Sequence, residues 1–306
     1  MKKSIFYGCY HPRYDKDKKA GKELLPFTEQ AIKYAKEDGL EGIEILPSND
    51  LSASDGVEYA KVLRDRLDKE GIECSCFSHG LSMLYDPKQA LVELKNCVDV
   101  AKILGSPFFH HTFQVSFKRD VPKDLSVYQN AEKIFVELGK ETAYYAGEQG
   151  LDCIYEDQGY YVNTVDRMGE LINKIGMPNT GFCLDIGNSL FYEVRPELFA
   201  GAFACITKHV HVKDYIVNTS ADCPSGNWLS TISGNWLRNC IPGNGVVDMQ
   251  KIFRILLSVG YDGYFSLENQ DAVDNLTDEQ ADAAIAKSFK NIQKAYDRAA
   301  ENVNQE

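Results

Sequence analysis

Short runs of apolar, β-branched and aromatic residues alternate along this chain with longer stretches in which apolar positions recur every three or four residues. The short runs have the length and residue types of buried strands, and the longer stretches have the period of amphipathic helices. Eight strands are predicted in this way: residues 4 to 11 (SIFYGCYH), 42 to 48 (GIEILPS), 72 to 79 (IECSCFSH), 107 to 113 (PFFHHTF), 152 to 157 (DCIYED), 181 to 188 (GFCLDIGN), 207 to 214 (TKHVHVKD) and 263 to 269 (GYFSLEN). Helical segments such as FTEQAIKYAKEDG and GVEYAKVLRDRLDKEG lie between them, closed by a glycine where a helix C-terminus takes a left-handed residue. Repeated strand and helix units imply a parallel sheet. Eight units in 306 residues match a single (β/α)8 barrel domain, an α/β fold over residues 1 to 306. A doubly wound sheet fits less well, because no GxGxxG follows the first strand.

The regularity breaks after the seventh strand, where Tyr215 to Val247 is rich in Ser, Asn and Gly and holds both tryptophans, Trp228 and Trp236. Extended loops in compact domains usually carry function. The flat indole rings suit the C–H faces of a sugar; the alternative is that they anchor the loop to the barrel rim. A shorter irregular stretch, Gln114 to Ser126, follows the fourth strand. Both stretches belong to the C-terminal rim, where barrel enzymes keep their active sites.

Composition narrows the function. With 45 acidic residues against 33 basic ones, the net charge is -12 and the lysines are scattered, which argues against a nucleic-acid partner. No apolar run reaches the roughly 18 to 20 residues that span a bilayer, so no membrane association is expected. The opening MKKSIFYGCYHPRYD reads as a first strand, since Gly8, His11, Pro12 and Arg13 interrupt any leader-like apolar core. Nine cysteines without a CxxC pair, several inside strand-like runs (Cys74, Cys76, Cys153, Cys183), read as small buried residues in a reducing, cytoplasmic setting.

Glu156 in IYEDQ, Asp185 in CLDIGN, His211 in HVHVKD and Glu268 in SLEN each sit near the C-terminal end of a different predicted strand. A parallel barrel brings these four positions around one mouth. An acidic residue at a strand end often only caps the next helix. Four such positions, each in an otherwise apolar run, point instead to a shared role. Three carboxylates and an imidazole form an oxygen and nitrogen donor set suited to one divalent metal ion, Mn, Co, Mg or Zn, and their mutual repulsion needs a cation.

These motifs, with the segment PGNGVVDMQKIFRILLSVGYDGYFSLEN, resemble the xylose-isomerase-like TIM-barrel superfamily over nearly the whole chain. Its members include tagatose and psicose 3-epimerases, inosose dehydratase and endonuclease IV. The resemblance implies that Glu156, Asp185, His211 and Glu268 are the metal ligands and that Glu156 and Glu268 are the catalytic acid/base pair. It implies an isomerase or epimerase that moves a proton alpha to the carbonyl of a sugar or polyol through an enediolate. Barrels of this family often pair into homo-oligomers. The ketohexose epimerases carry a histidine three residues after the metal aspartate, where Asn188 stands here, so their substrate is not carried over.

Among the substrate-binding candidates, Lys213 shares the parity of His209 and His211 and could bind a substrate oxygen, act as a general acid, or form a salt bridge. His209 lies deeper and reads as a core histidine. Glu44 stands either near the substrate or behind a basic side chain that it orients. His79 and His111 lie at strand ends; of the adjacent His110 and His111 only one can face inward, and His111 is nearer the rim. Asn188, Trp228 and Trp236 complete the set, and Asp214 reads as a supporting or capping residue. The competing activity is a lyase or dehydratase on a keto-sugar or keto-inositol, which needs a general acid over the leaving group. An endonuclease IV-like repair enzyme would need several zinc ions and a basic groove, against six histidines and a charge of -12. A binding protein on a degenerate barrel would have lost ligands, and all four are present.

Overall fold

Residues 1–47, 56–115, 121–268 and 278–303 are described by a computed structural model. Seven strands rise in chain order: β1 (Lys2–Ile5), β2 (Gly42–Ile45), β3 (Glu73–His79), β4 (Phe108–His111), β5 (Asp152–Glu156), β6 (Thr180–Asp185) and β7 (Thr207–Val212). An insertion then contributes β8 (Asp214–Asn218), β9 (Leu229–Ser230) and β10 (Trp236–Cys240), and β11 (Tyr264–Leu267) is the eighth barrel strand. The parallel order β2-β3-β4-β5-β6-β7-β11-β1 makes a nearly closed barrel, whose two edges meet in a parallel bridge between Phe6 and Glu44. The barrel expected from the sequence is therefore the fold observed.

The helices are α1 (His11–Lys19), α2 (Phe27–Glu37), α3 (Gly56–Glu70), α4 (Pro87–Leu104), α5 (Leu125–Glu148), α6 (Val165–Ile175), α7 (Pro196–Phe203), α8 (Met249–Ser258) and α9 (Asp278–Val303). Local chemistry sets several ends. Asp86, Asp124, Thr164 and Asp248 each accept a hydrogen bond from the backbone N–H three residues on, and Gly105 and Gly176 close α4 and α6 in the left-handed region.

The first predicted strand was too long. The extended run ends at Ile5, and Tyr7–Tyr10 form a 3-10 turn leading into α1, which has Pro12 in its first turn. Tyr10 packs on Tyr34 of α2, with ring centroids 5.5 Å apart, and donates to Asp38, so its aromatic character serves a helix contact. Ser48 and Asn269, the predicted ends of two other strands, lie outside the described residues, as does part of the stretch from Gln114 to Ser126. The loop from Tyr215 to Val247 is not wholly irregular, because β8, β10 and β9 pair as a small antiparallel sheet.

Most of the apolar core lies between the barrel and its helices. Among the described residues a small separate apolar cluster, Cys76, Ile154 and Cys183 with Phe108 against it, lies in the barrel interior. Cysteine suits this narrow space because it is small and weakly polar. Polar residues pointing inward from β2, β5, β6 and β7 occupy the volume toward the C-terminal rim.

Candidate metal centre

Glu156 and Asp185 end β5 and β6, His211 is the penultimate residue of β7, and Glu268 follows β11. Register aligns them, since Asp185 pairs with His211 and His211 with Ser266. One ligand atom from each of the four lies within 4.8 Å of all the others. His211 Nδ1 faces the three carboxylates, 3.0 Å from Glu156 Oε1, 3.4 Å from Glu268 Oε2 and 3.9 Å from Asp185 Oδ2. Glu156, Asp185 and His211 are buried, whereas the Glu268 side chain is 20% exposed and forms the open side.

Each group is oriented by a neighbour. The backbone N–H groups of Gly187 and Asn188 donate to Asp185 Oδ1 at 2.7 and 2.8 Å, which turns Oδ2 toward the centre. Asn188 Nδ2 donates to Glu156 Oε1 at 3.0 Å. Lys213 Nζ lies 2.8 Å from both Asp185 Oδ2 and Glu268 Oε2. That approach requires Gly187: a Cβ there would meet Lys213 Cγ at 2.7 Å and the Tyr215 ring at 2.8 Å. Asp214, expected to support or cap, accepts from the backbone N–H groups of Tyr215, Gly243, Gly245 and Val247 and so ties both ends of the insertion to the barrel.

Burial pushes the Glu156 and Asp185 carboxyls above the ordinary range, with His211 and Lys213 opposing. For His211, burial alone would push the imidazolium down. The Cys183 sulfur and the Glu44 and Glu156 carboxylates outweigh burial and hold His211 well above the usual histidine value. The one ammonium facing Asp185 Oδ2 and Glu268 Oε2 among the described residues is that of Lys213, which the two oxygens share at 2.8 Å each. Three carboxylates converging on one imidazole nitrogen, with a single ammonium shared between two of them, leave negative charge in excess and fit a divalent cation. Glu44, Cys76 and His209 are grouped as closely. There the Glu44 oxygens are already engaged by hydrogen bonds and burial pushes the Cys76 thiol well up, so that triad fits an ion poorly.

A cavity of about 320 Å³ opens over Glu156, His211 and Glu268. Its polar wall includes Ser78, His79, His110, Gln158, Asn188 and Lys213, and its apolar wall includes Phe6, Leu46, Phe191 and Leu229. His79 is held by Glu93 of α4, 2.9 Å from Nε2.

Four expected substrate residues are placed elsewhere. Glu44 is fully buried beneath His211 and not in the cavity wall. Trp228 donates to the Ser225 carbonyl under the Arg238 guanidinium, and Trp236 donates to the Ser220 carbonyl; the insertion reaches the cavity through Tyr215, Leu229 and Asn239 instead. Strand alternation resolves the histidine pair in the opposite sense to that expected. His110 faces inward, its ring 5.3 Å from that of His211, while His111 packs against Phe113 and Tyr155 on the helix side. His110 was the residue missed; it shares the face of Glu156 because β4 pairs with β5 so that His110 stands opposite Ile154, a register that the sequence alone does not carry. Phe191 and Asn239 carried no sequence signal.

His111 makes a prediction of its own. Burial pushes its imidazole down to about 4, while an unfolded histidine titrates near 6.5. The unfolded chain therefore binds a proton that the folded chain refuses, and stability falls as pH drops through that window. His111→Phe should remove about 3 kcal/mol of this acid loss by pH 4 while leaving activity intact, as read from urea unfolding at pH 7 and pH 4.

The family model for the xylose isomerase-like TIM barrel matches residues 32–295, and the chain belongs to that family. Among curated relatives, an inosose dehydratase of Bacillus cereus (strain AH820) is 28% identical over 154 residues, 49% of this chain and 47% of that protein. The chain thus spans about half the length of the curated relatives it matches. An L-ribulose 3-epimerase structure superposes with a TM-score of 0.69 at 14% identity, covering 100% of this chain and 98% of that one. The zinc-bound IOLI protein superposes at 0.68 with 17% identity, covering 96% and 99%. At these identities the structural likeness is one of fold. Among the described residues no helix is long and apolar enough to cross a membrane.

Proposed function

We propose that this chain is a divalent-metal-dependent enzyme that moves a proton next to the carbonyl of a keto-sugar or keto-polyol, as an isomerase or epimerase. The observation that carries this reading is the convergence of Glu156, Asp185, His211 and Glu268 to within 4.8 Å beside a monosaccharide-sized cavity. A bound ion would act as a Lewis acid toward the substrate carbonyl and favour an enediolate. Asp185 and His211 would hold that ion, with Asp185 fixed by two backbone N–H groups. Glu156 and Glu268 would also exchange the proton, since both are carboxylates on the cavity wall. His110, His79 and Asn188 would orient substrate oxygens.

A second reading, elimination of water from a keto-sugar or keto-inositol, is favoured by Lys213. Its buried ammonium lines the cavity, where it can protonate a departing hydroxyl, and the similar curated proteins are inosose dehydratases. Both reactions begin with the same proton abstraction. A nucleic-acid substrate has the charge of -12 against it.

Incubating the protein, loaded in turn with Mn, Co, Mg and Zn, in deuterated water with a panel of ketoses and keto-inositols should label the carbon beside the carbonyl. Elemental analysis should find about one divalent ion per chain, and a chelator should stop the labelling. Absence of labelling with every metal and substrate would reject the reading. Loss of water after labelling would select elimination.

A further inference from the structure

We propose that Glu44 is the positioning residue of the metal centre, holding the His211 imidazole in the tautomer that turns the Nδ1 lone pair toward Glu156, Asp185 and Glu268. The inference rests on the metal-centre reading above. Glu44 lies on β2, three strands from β7 around the closed barrel, and its side chain is fully buried in the interior.

Its carboxylate meets four donors from three other strands. Oε1 is 2.9 Å from His211 Nε2 and accepts from the Ser78 hydroxyl; Oε2 is 2.9 Å from His209 Nε2 and accepts from the Ser266 hydroxyl at 2.7 Å. Two carboxylate oxygens offer about four acceptor sites in all, so none remains for a substrate. Because a carboxylate only accepts, both histidines must present an N–H to it. A cation at the centre would take the place of the His211 Nδ1 proton, and with the other proton kept on Nε2 by Glu44 the nitrogen facing the three carboxylates is a bare lone pair. That arrangement is repulsive without a cation and suited to one.

The two histidines answer differently to loss of this acceptor. Glutamine at position 44 offers one accepting oxygen and one NH2, so one imidazole must reverse its tautomer. His209 Nδ1 has no hydrogen-bond partner, and reversal there would bury an unsatisfied N–H. Reversal of His211 would instead place its N–H 3.0 Å from Glu156 Oε1, where it is accepted. His211 therefore gives way, and the cation site receives an N–H in place of a lone pair while the fold keeps its hydrogen bonds.

The test titrates zinc and cobalt, in competition with a chromophoric chelator, into wild type, Glu44→Gln and Glu268→Gln. Glu44→Gln should melt close to wild type yet bind each ion about 10- to 100-fold more weakly. Long-range proton–nitrogen spectra of histidine-labelled, zinc-loaded wild type should show the His211 proton on Nε2, a result that needs no variant. Unchanged affinity in a folded Glu44→Gln, or a proton on Nδ1, would overturn the positioning role while leaving the metal centre standing. Failure of wild type to bind either ion would instead overturn the metal-centre reading and this inference with it.

Discussion

Glu268→Gln should reduce deuterium labelling of the substrate by at least about 10²- to 10⁴-fold, the range expected when a positioned acid or base is lost. Glu268 follows β11, lines the cavity, and is the most exposed of the four candidate ligands. Its Oε2 stands 3.4 Å from His211 Nδ1 and 2.8 Å from Lys213 Nζ. Glutamine keeps the length and shape but has neither the negative charge nor a site that takes up a proton. Exposure of the side chain should keep the effect on folding small, so a melting curve near that of wild type would separate lost chemistry from lost structure. Metal content measured on the same sample shows whether the ion was lost as well. Undiminished labelling would move the base to another cavity residue, with Glu156 and His110 next in line.

Lys213→Met should separate the two proposed reactions and also unbalance the centre. The Lys213 side chain is 7% exposed and lies between Asp185 and Glu268. Burial alone would push its ammonium down. The Asp185 and Glu268 carboxylates outweigh burial and hold Lys213 well above the usual lysine value, so it is charged at neutral pH. Removing that cation leaves buried carboxylates uncompensated, which should lower stability by about 3 kcal/mol in urea unfolding with a chelator present. A bound divalent ion supplies the missing positive charge, so added metal should restore more stability in Lys213→Met than in wild type. If the enzyme is an isomerase or epimerase, labelling and turnover should both persist. If Lys213 is the general acid of an elimination, labelling should persist while water loss falls about 10²- to 10⁴-fold.

The sequence by itself determined the eightfold repeat, because each strand and helix carries its own period of apolar positions and local chemistry closes several helix ends. It also determined that Glu156, Asp185, His211 and Glu268 occupy strand ends, since position within a repeat is a local property. Which side of a strand faces the barrel was harder to read. His110 and His111 are adjacent and chemically alike, and only the pairing of Ser78 with His110 in the closed sheet sends His110 inward. The tryptophans pointed to a binding surface because aromatic rings often serve that way, yet β9 has two residues, too few for a period, and the sheet that places Leu229 and Asn239 on the cavity depends on pairing with β10. Glu44 shows the limit most directly. It lies 165 and 167 residues from His209 and His211, and its partnership with them exists only because closure of the barrel brings the inward faces of β2 and β7 together across the interior. Periodicity is written between neighbours in the chain, whereas contacts across a barrel interior are settled by register and closure, which belong to the tertiary structure alone.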